Sequence, residues 1–315
     1  MENFKVDLVY LWVDGSDPEW QKKRSMYIPA STHTLPIEAV CEARYTNNDE
    51  LRYSLRSIEK YANWVRKIFI VTDNQVPLWL DISNPKIKII DINEILPSEA
   101  LPCFNSEVIE YFLYKIPDLS EHFIYANDDM FLNKNVLPSD FFGDDGFPVV
   151  RLKRKRFGYL RYKLKYVFRS TNSAYKKTHI RASDEVYKRL KKRYWGFSHH
   201  NIDAYCKSDY KMAIENIFSD IIAKTMLNHI RSKTGLQRIA ILYYALAVKH
   251  GHICYTGQKQ SLAVQLYKMQ KLYNNLTSDT MFFCLNDDQN SSSADRIAAR
   301  LFLENRFPYK SEFEI

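Results

Sequence analysis

EHFIYANDDMFL, residues 121–132, is a short apolar strand that runs straight into Asn127, Asp128 and Asp129. Two adjacent carboxylates at the exit of a buried strand repel one another unless a positive charge sits between them, and a hard divalent cation carrying a phosphate is the usual occupant. A plain Asx-type turn is the bland reading. The rest of the first half gives the stretch its setting. KVDLVYLWV (Lys5–Val13) is a near-continuous apolar strand that ends in the turn signal Asp14-Gly15-Ser16-Asp17-Pro18. Residues 49–64 place Leu51, Leu55, Ile58 and Tyr61 or Ala62 at amphipathic-helix spacing, and Asn48 or Asp49 can cap the start. KIFIVT (Lys67–Thr72) and KIKIIDI (Lys86–Ile92) are two further strands. The order strand, helix, strand, strand, helix, strand predicts an α/β layer with a mainly parallel sheet.

In such sheets ligands gather beyond the carboxyl ends of the strands, at the topological switch point. The acidic turns after the first and fourth strands are therefore expected to face one cleft, where a metal-bound nucleotide would dock. That is the layout of a GT-A-like nucleotide-sugar core, by analogy of fold.

With 315 residues and 46% hydrophobic content, the chain is long enough for one large domain or a core with an appendage. Its first strand is interrupted by Asp7 and Asp14 with no basic leader before it, unlike a signal peptide. The longest apolar run, Ile239 to Val248, is too short to cross a bilayer. Five scattered cysteines (Cys41, Cys103, Cys206, Cys254, Cys284) form no C-x-x-C pair, so neither a disulfide framework nor a zinc site is expected, and a reducing, cytoplasmic setting fits.

The net charge of +8 conceals an asymmetry. Residues 151–193 carry 17 Lys or Arg against Asp184 and Glu185, a local net of +15 that leaves −7 for the remainder. Phe157, Tyr159, Tyr162, Tyr166, Phe168 and Tyr175 are interleaved, and Leu160, Leu164, Val167 and Phe168 fall at helical spacing. A solvated insertion, a helix on an anionic membrane surface and a nucleic-acid patch all fit this pattern. Nucleic acid ranks last, because the acidic remainder repels a long polyanion.

Four stretches resemble the conserved regions of the Stealth family of sugar-phosphate transferases. They are Asp7–Trp20 (DLVYLWVDGSDPEW), Asn48–Leu80 (NDELRYSLRSIEKYANWVRKIFIVTDNQVPLWL) and Phe104–Leu132 as the first three regions, then Cys284–Asn290 with Leu301–Glu314 as the fourth. The resemblance implies transfer of a sugar-1-phosphate from a UDP-sugar to an acceptor hydroxyl, with UMP released and a phosphodiester formed. Such chemistry needs charge neutralisation on the phosphates, a base for the acceptor and in-line geometry.

On that resemblance, Asp128 and Asp129, with Asn286 and Asp287 in addition, are the expected ligands of Mg²⁺ or Mn²⁺. Asp49, His200 and Arg231 form the expected catalytic group. His200 is aligned as the base rather than His199, from the positions of Ala204, Lys207 and Ser208 in GFSHHNIDAYCKS, and Arg231 faces charge on the transferred phosphoryl group. Ile202 and Cys206 depart from the family's usual proline and arginine there. Asp14, Gly15, Ser16 and Asp17 are expected to receive the uridine or ribose end, with Arg52 and Asn105 on the phosphate or sugar. The plainer readings are an Arg52 ion pair with Asp49 or Glu50, and turn residues elsewhere.

The expected organisation is an α/β nucleotide-sugar core over 1–150, a basic aromatic insertion over 151–195, and a helical region over 196–315 that completes the site. Ile239–Val248 and Leu262–Leu266 read as core helix faces. Expected partners are a UDP-sugar donor, an oligosaccharide or lipid-linked glycan acceptor and an anionic membrane surface, without nucleic acid. An ordinary GT-A glycosyltransferase releasing UDP and a non-catalytic polyanion- or membrane-binding module are the alternatives.

Overall fold

The computed structural model describes residues 4–28, 45–153, 164, 174–231 and 235–315. Its central sheet has five strands, β1 (Val6–Leu11), β2 (Ile68–Thr72), β3 (Ile87–Asp91), β4 (His122–Asn127) and β8 (Asp203–Cys206), in the spatial order β3-β2-β1-β4-β8. The first four are parallel, and β8 runs antiparallel to β4. The chain is therefore α/β with a mainly parallel core sheet, as its sequence predicts.

Alternation along β1 explains the two layers. Val6, Leu8 and Tyr10 face one cluster together with Leu51, Leu55 and Ile58 of helix α2 (Glu50–Tyr61), whereas Val9 faces another with Phe69, Val71, Phe123 and Tyr125. Helices α3 (Ser106–Tyr111), α4 (Ala174–Leu190) and α5 (Ile239–Ala247) cover this second face. The exception within β1 is Asp7, fully buried, which accepts hydrogen bonds from Arg66 at 2.8 and 2.6 Å and from the Ser120 amide at 2.7 Å. A buried charge persists only when compensated in this way.

Two smaller sheets flank the core. In one, β11 (Phe282–Asn286) pairs with β10 (Ser261–Gln265) and with β5 (Met130–Leu132); in the other, β6 (Val149–Lys153) pairs with β7 (Phe197–Ser198) and β9 (His252–Tyr255).

Several sequence expectations need correction. The turn at Asp14–Pro18 leads into a helix, α1 (Pro18–Ser25), whose composition hides it because only Trp20 is buried. Leu262–Leu266 belongs mostly to strand β10, not a helix face. The boundary at 150 falls inside β6, and residues 196–315 supply five strands as well as helices. Within the basic segment, α4 buries Ala182 and Val186 in the core against α5. Leu160, Val167, Phe168 and the aromatics Phe157, Tyr159, Tyr162 and Tyr166 lie outside the described residues, as does Cys41. No helix among the described residues is long and apolar enough to cross a membrane.

Candidate functional site

The order β2-β1-β4 places the switch point between β1 and β4, with Leu11 opposite Asn127 at the carboxyl edge. Acidic segments leave that edge after each parallel strand: Asp14–Asp17 after β1, Asp73 after β2, Asp91 and Glu94 at the end of β3, and Asp128–Asp129 after β4. Because β8 is antiparallel, its entry also lies there, which brings His199 and His200 to the same edge although they follow β4 by some 70 residues.

At the Asp128–Asp129 turn, burial and then the neighbouring Asp129 carboxylate push the Asp128 carboxyl up to about 7. Glu50, buried in the first turn of α2, is pushed up to about 7 by burial and by Asp128. Its oxygens accept from the Asn48 amide and the Asn48 side chain, both at 2.7 Å. The Cys284 thiol, kept protonated by burial and by Asp129, donates to Asp129 Oδ2 at 3.3 Å. Lys153 lies close enough for its charge to act on His199, His200 and Cys284.

His200 Nε2 is 3.0 Å from Asn286 Oδ1, while Asn286 Nδ2 donates to Cys284 Sγ at 3.3 Å. With the amide oriented by that second bond, Nε2 carries the proton and Nδ1 the lone pair. Burial holds the imidazole below its usual value, hence neutral at pH 7. His200 has φ 57 and Asp49 has φ 64, so both carry left-handed backbone that only a well-anchored surrounding maintains.

The remaining expected residues fall in several places. Asp14 Oδ1 accepts from the Ser16 amide (2.9 Å) and hydroxyl (2.6 Å), Asp17 caps α1, and Gln75 bridges the backbone of Asp14 and the carboxylate of Asp17. Gly15 permits a close approach, but of Tyr45, whose carbonyl oxygen would lie 2.3 Å from an added Cβ. Asp49 makes no capping bond through its side chain and pairs with Arg300 at 3.1 Å. Arg52 lies 3.4 Å from Glu314 and over the Trp79 ring, so its ion pair is with neither Asp49 nor Glu50. Asn105 is fully buried as the cap of α3 and bonds the Asn228 carbonyl. Arg231 pairs with Glu107 at 3.0 Å.

The metal set of four is not assembled. Asp287 gives both oxygens to Arg296, at 2.6 and 3.1 Å, and Asn286 is engaged by His200 and Cys284. Among the described residues no group of three or more His, Cys, Asp or Glu is arranged to hold a metal ion. Asp128 and Asp129 are the pair left to serve. Sequence reasoning missed Glu50, which reads as an ordinary acidic first-turn residue, and His199, whose partners Ser261 and Asp203 are invisible to local pattern.

Residues 4–32 match Stealth protein CR1, conserved region 1, and residues 44–150 match Stealth protein CR2, conserved region 2. An exopolysaccharide phosphotransferase, cps2G, of Lactiplantibacillus plantarum is 31% identical over 99% of this chain and 96% of its own length. The chain belongs to the Stealth family. It is a transferase, which sets aside the non-catalytic binding module. A capsular polysaccharide phosphotransferase of Neisseria meningitidis serogroup B is 32% identical (99% of this chain, 85% of that one), and cps12A of Actinobacillus pleuropneumoniae 35% (94% and 80%). Phe104–Leu132, expected as a third Stealth region, lies inside the second. Among solved structures, the galactosyltransferase LgtC, crystallised with donor and acceptor sugar analogs, is similar at a TM-score of 0.47 and 11% identity over 97% of this chain and 96% of that one.

Proposed function

We propose that this Stealth-family chain transfers a hexose-1-phosphate from a UDP-sugar to a hydroxyl of a glycan acceptor, free or lipid-linked, and releases UMP. The observation that supports this most is the hydrogen-bonded chain that runs from the Asp129 carboxylate through Cys284 and Asn286 to the neutral His200 ring, at the edge where β1 and β4 lie side by side. The names of the relatives support a place in surface-polysaccharide synthesis.

In this reading the acceptor oxygen attacks phosphorus, the phosphoanhydride bond to UMP breaks, and the anomeric carbon–oxygen bond survives. The neutral His200 imidazole takes the acceptor's proton as the bond to phosphorus forms. Arg231, a quarter exposed beyond its pair with Glu107, faces the charge developing on the transferred group. The Asp14–Asp17 turn receives the nucleoside end. For a divalent cation, Mg²⁺ or Mn²⁺, the fit is to the hard oxygens of Asp128 and Asp129, where crowded carboxyls favour added positive charge. Such an ion supplies charge neutralisation on the diphosphate when bound. The basic segment 151–193 supports a peripheral position on an anionic, cytoplasmic membrane face. Neutralising residues 154–156, leaving Lys153 at the site, should then release the protein from acidic vesicles while soluble-substrate turnover persists.

Incubation with a panel of UDP-sugars and either cation, scoring UMP against UDP, tests the proposal. UMP with a phosphodiester product that is lost in Asp128→Ala and His200→Gln supports it. UDP with a glycosidic product returns the ordinary glycosyltransferase.

A further inference from the structure

We infer that Arg238 is a positioning residue, which through Asp203 and His199 fixes the His200 turn and through Tyr125 fixes Asn127 beside Asp128. The inference rests on the reading of His200 as the base.

Arg238 is buried at the start of α5, where the helix dipole opposes a cation, so it is not there to stabilise that helix. Its charge is balanced instead by carboxylates from two other elements. Nη1 lies 3.3 Å from Glu110 of α3, and Nη2 lies 3.5 Å from Asp203 of β8. Its Nε donates to the Tyr205 hydroxyl at 2.6 Å, and the guanidinium lies over the Tyr125 ring, 3.8 Å from its centroid. One planar fork thus ties α3, β4, β8 and α5 together, a span that the single ammonium of lysine does not reproduce.

Each arm ends beside the chemistry. Towards β8, Asp203 Oδ1 meets His199 Nε2 at 3.2 Å, and His199 Nδ1 meets the Ser261 hydroxyl at 2.9 Å. Asn201 Nδ2 donates to the same Ser261 oxygen at 2.8 Å. His199 and Asn201 are fully buried and flank His200, the residue in left-handed backbone. The strain at such a position is held by whatever over-determines it, and here the neighbours on either side are anchored on Ser261 and, through Asp203, on Arg238. Towards β4, the Tyr125 hydroxyl donates to Asn127 Oδ1 at 2.8 Å and contacts Glu110 at 3.4 Å. Arg238 is itself buried and both arms end on protein side chains, so it acts through these residues rather than on substrate.

The test uses Arg238→Lys and Ser261→Ala in the full chain, the second cutting the network away from the buried charge. Two readouts are taken on protein shown folded by circular dichroism. The first is ring-nitrogen NMR of His200, assigned with His200→Gln, which needs no donor. The second is kcat and KM for whichever UDP-sugar gives the fastest UMP release. Both variants should lose the single Nε2–H signature of His200 and fall at least ~10-fold in kcat with donor KM within ~3-fold, since misplacing a reacting group costs rate more than binding. A structural role alone would lower the folded fraction and leave both readouts of folded protein untouched. An altered His200 signal with unchanged kcat upholds the positioning and removes His200 as the base. Folded variants with the wild-type His200 signal overturn the inference.

Discussion

Acidification should stabilise the cation-free protein, and the double variant Glu50→Gln/Asp128→Asn should abolish that response. Both carboxyls have folded values raised, Glu50 from 4.5 and Asp128 from 3.8, each to about 7. A group raised on folding contributes stability that is complete below its unfolded value and is lost as pH rises through the folded one. For Glu50, 4.5 to about 7 corresponds to roughly 3 kcal/mol at about 1.36 kcal/mol per pH unit. About 2 kcal/mol of this Glu50 contribution lies between pH 5.5 and 8, and Asp128, raised by burial and by Asp129, adds a loss of the same sign over that window. Buried His199 and His200, lowered on folding, act oppositely below their usual range, which is why the variant and not the bare pH profile is the reference. Urea midpoints at pH 5.5 and 8, without divalent ions, measure the difference. The variant should be the more stable protein at pH 8 and lose most of that lead at pH 5.5, while Mg²⁺ at pH 8 should stabilise the wild type alone. Parallel pH profiles for the two proteins would refute the coupling.

Asp287→Asn should weaken the fold by roughly 1–3 kcal/mol through Arg296, yet shift the Mg²⁺ concentration for half-maximal turnover less than ~2-fold; a large Mg²⁺ shift would restore Asp287 as a ligand. Gly15→Ala, whose Cβ meets the Tyr45 carbonyl at 2.3 Å, should lower stability by about 1–3 kcal/mol and raise donor KM. Unchanged KM in that variant would move the nucleoside end away from this turn. Asp7→Ala strips the partner from Arg66 and an acceptor from Ser120, and should lower stability by roughly 3 kcal/mol with kcat of the folded enzyme unaffected. A kcat loss without a lowered urea midpoint would contradict that separation.

The first four strands were legible because each is a β-branched or aromatic run of at least five residues with turn residues behind it. Short strands were not: β5 is three residues continuing from the acidic turn, and β8 reads as the tail of a histidine motif. Helix α1 lacks an apolar stripe, so only its Asp17 cap and Pro18 mark it. At the site, adjacency in sequence exposed Asp128 and Asp129, whereas Glu50 acquires its meaning from a carboxyl 78 positions away. Asp49, expected in the catalytic group on the family resemblance, has left-handed backbone, makes no capping bond and pairs with Arg300. Asp287 matched the family pattern, but its partner Arg296 lies on the helix Ser293–Arg306 that follows, a pairing that composition does not announce.

The antiparallel placement of β8 against β4 has a consequence for how the polypeptide can be divided. A piece ending near residue 153 would leave β4 with one open flank, β5 without β11 and β6 without β7 and β9, raw edges that invite self-association. The later piece would hold the complementary ribbons. Cut within 154–173, the halves should therefore be insoluble or sticky apart and regain turnover when co-expressed, as a split enzyme whose reassembly is read by its own product.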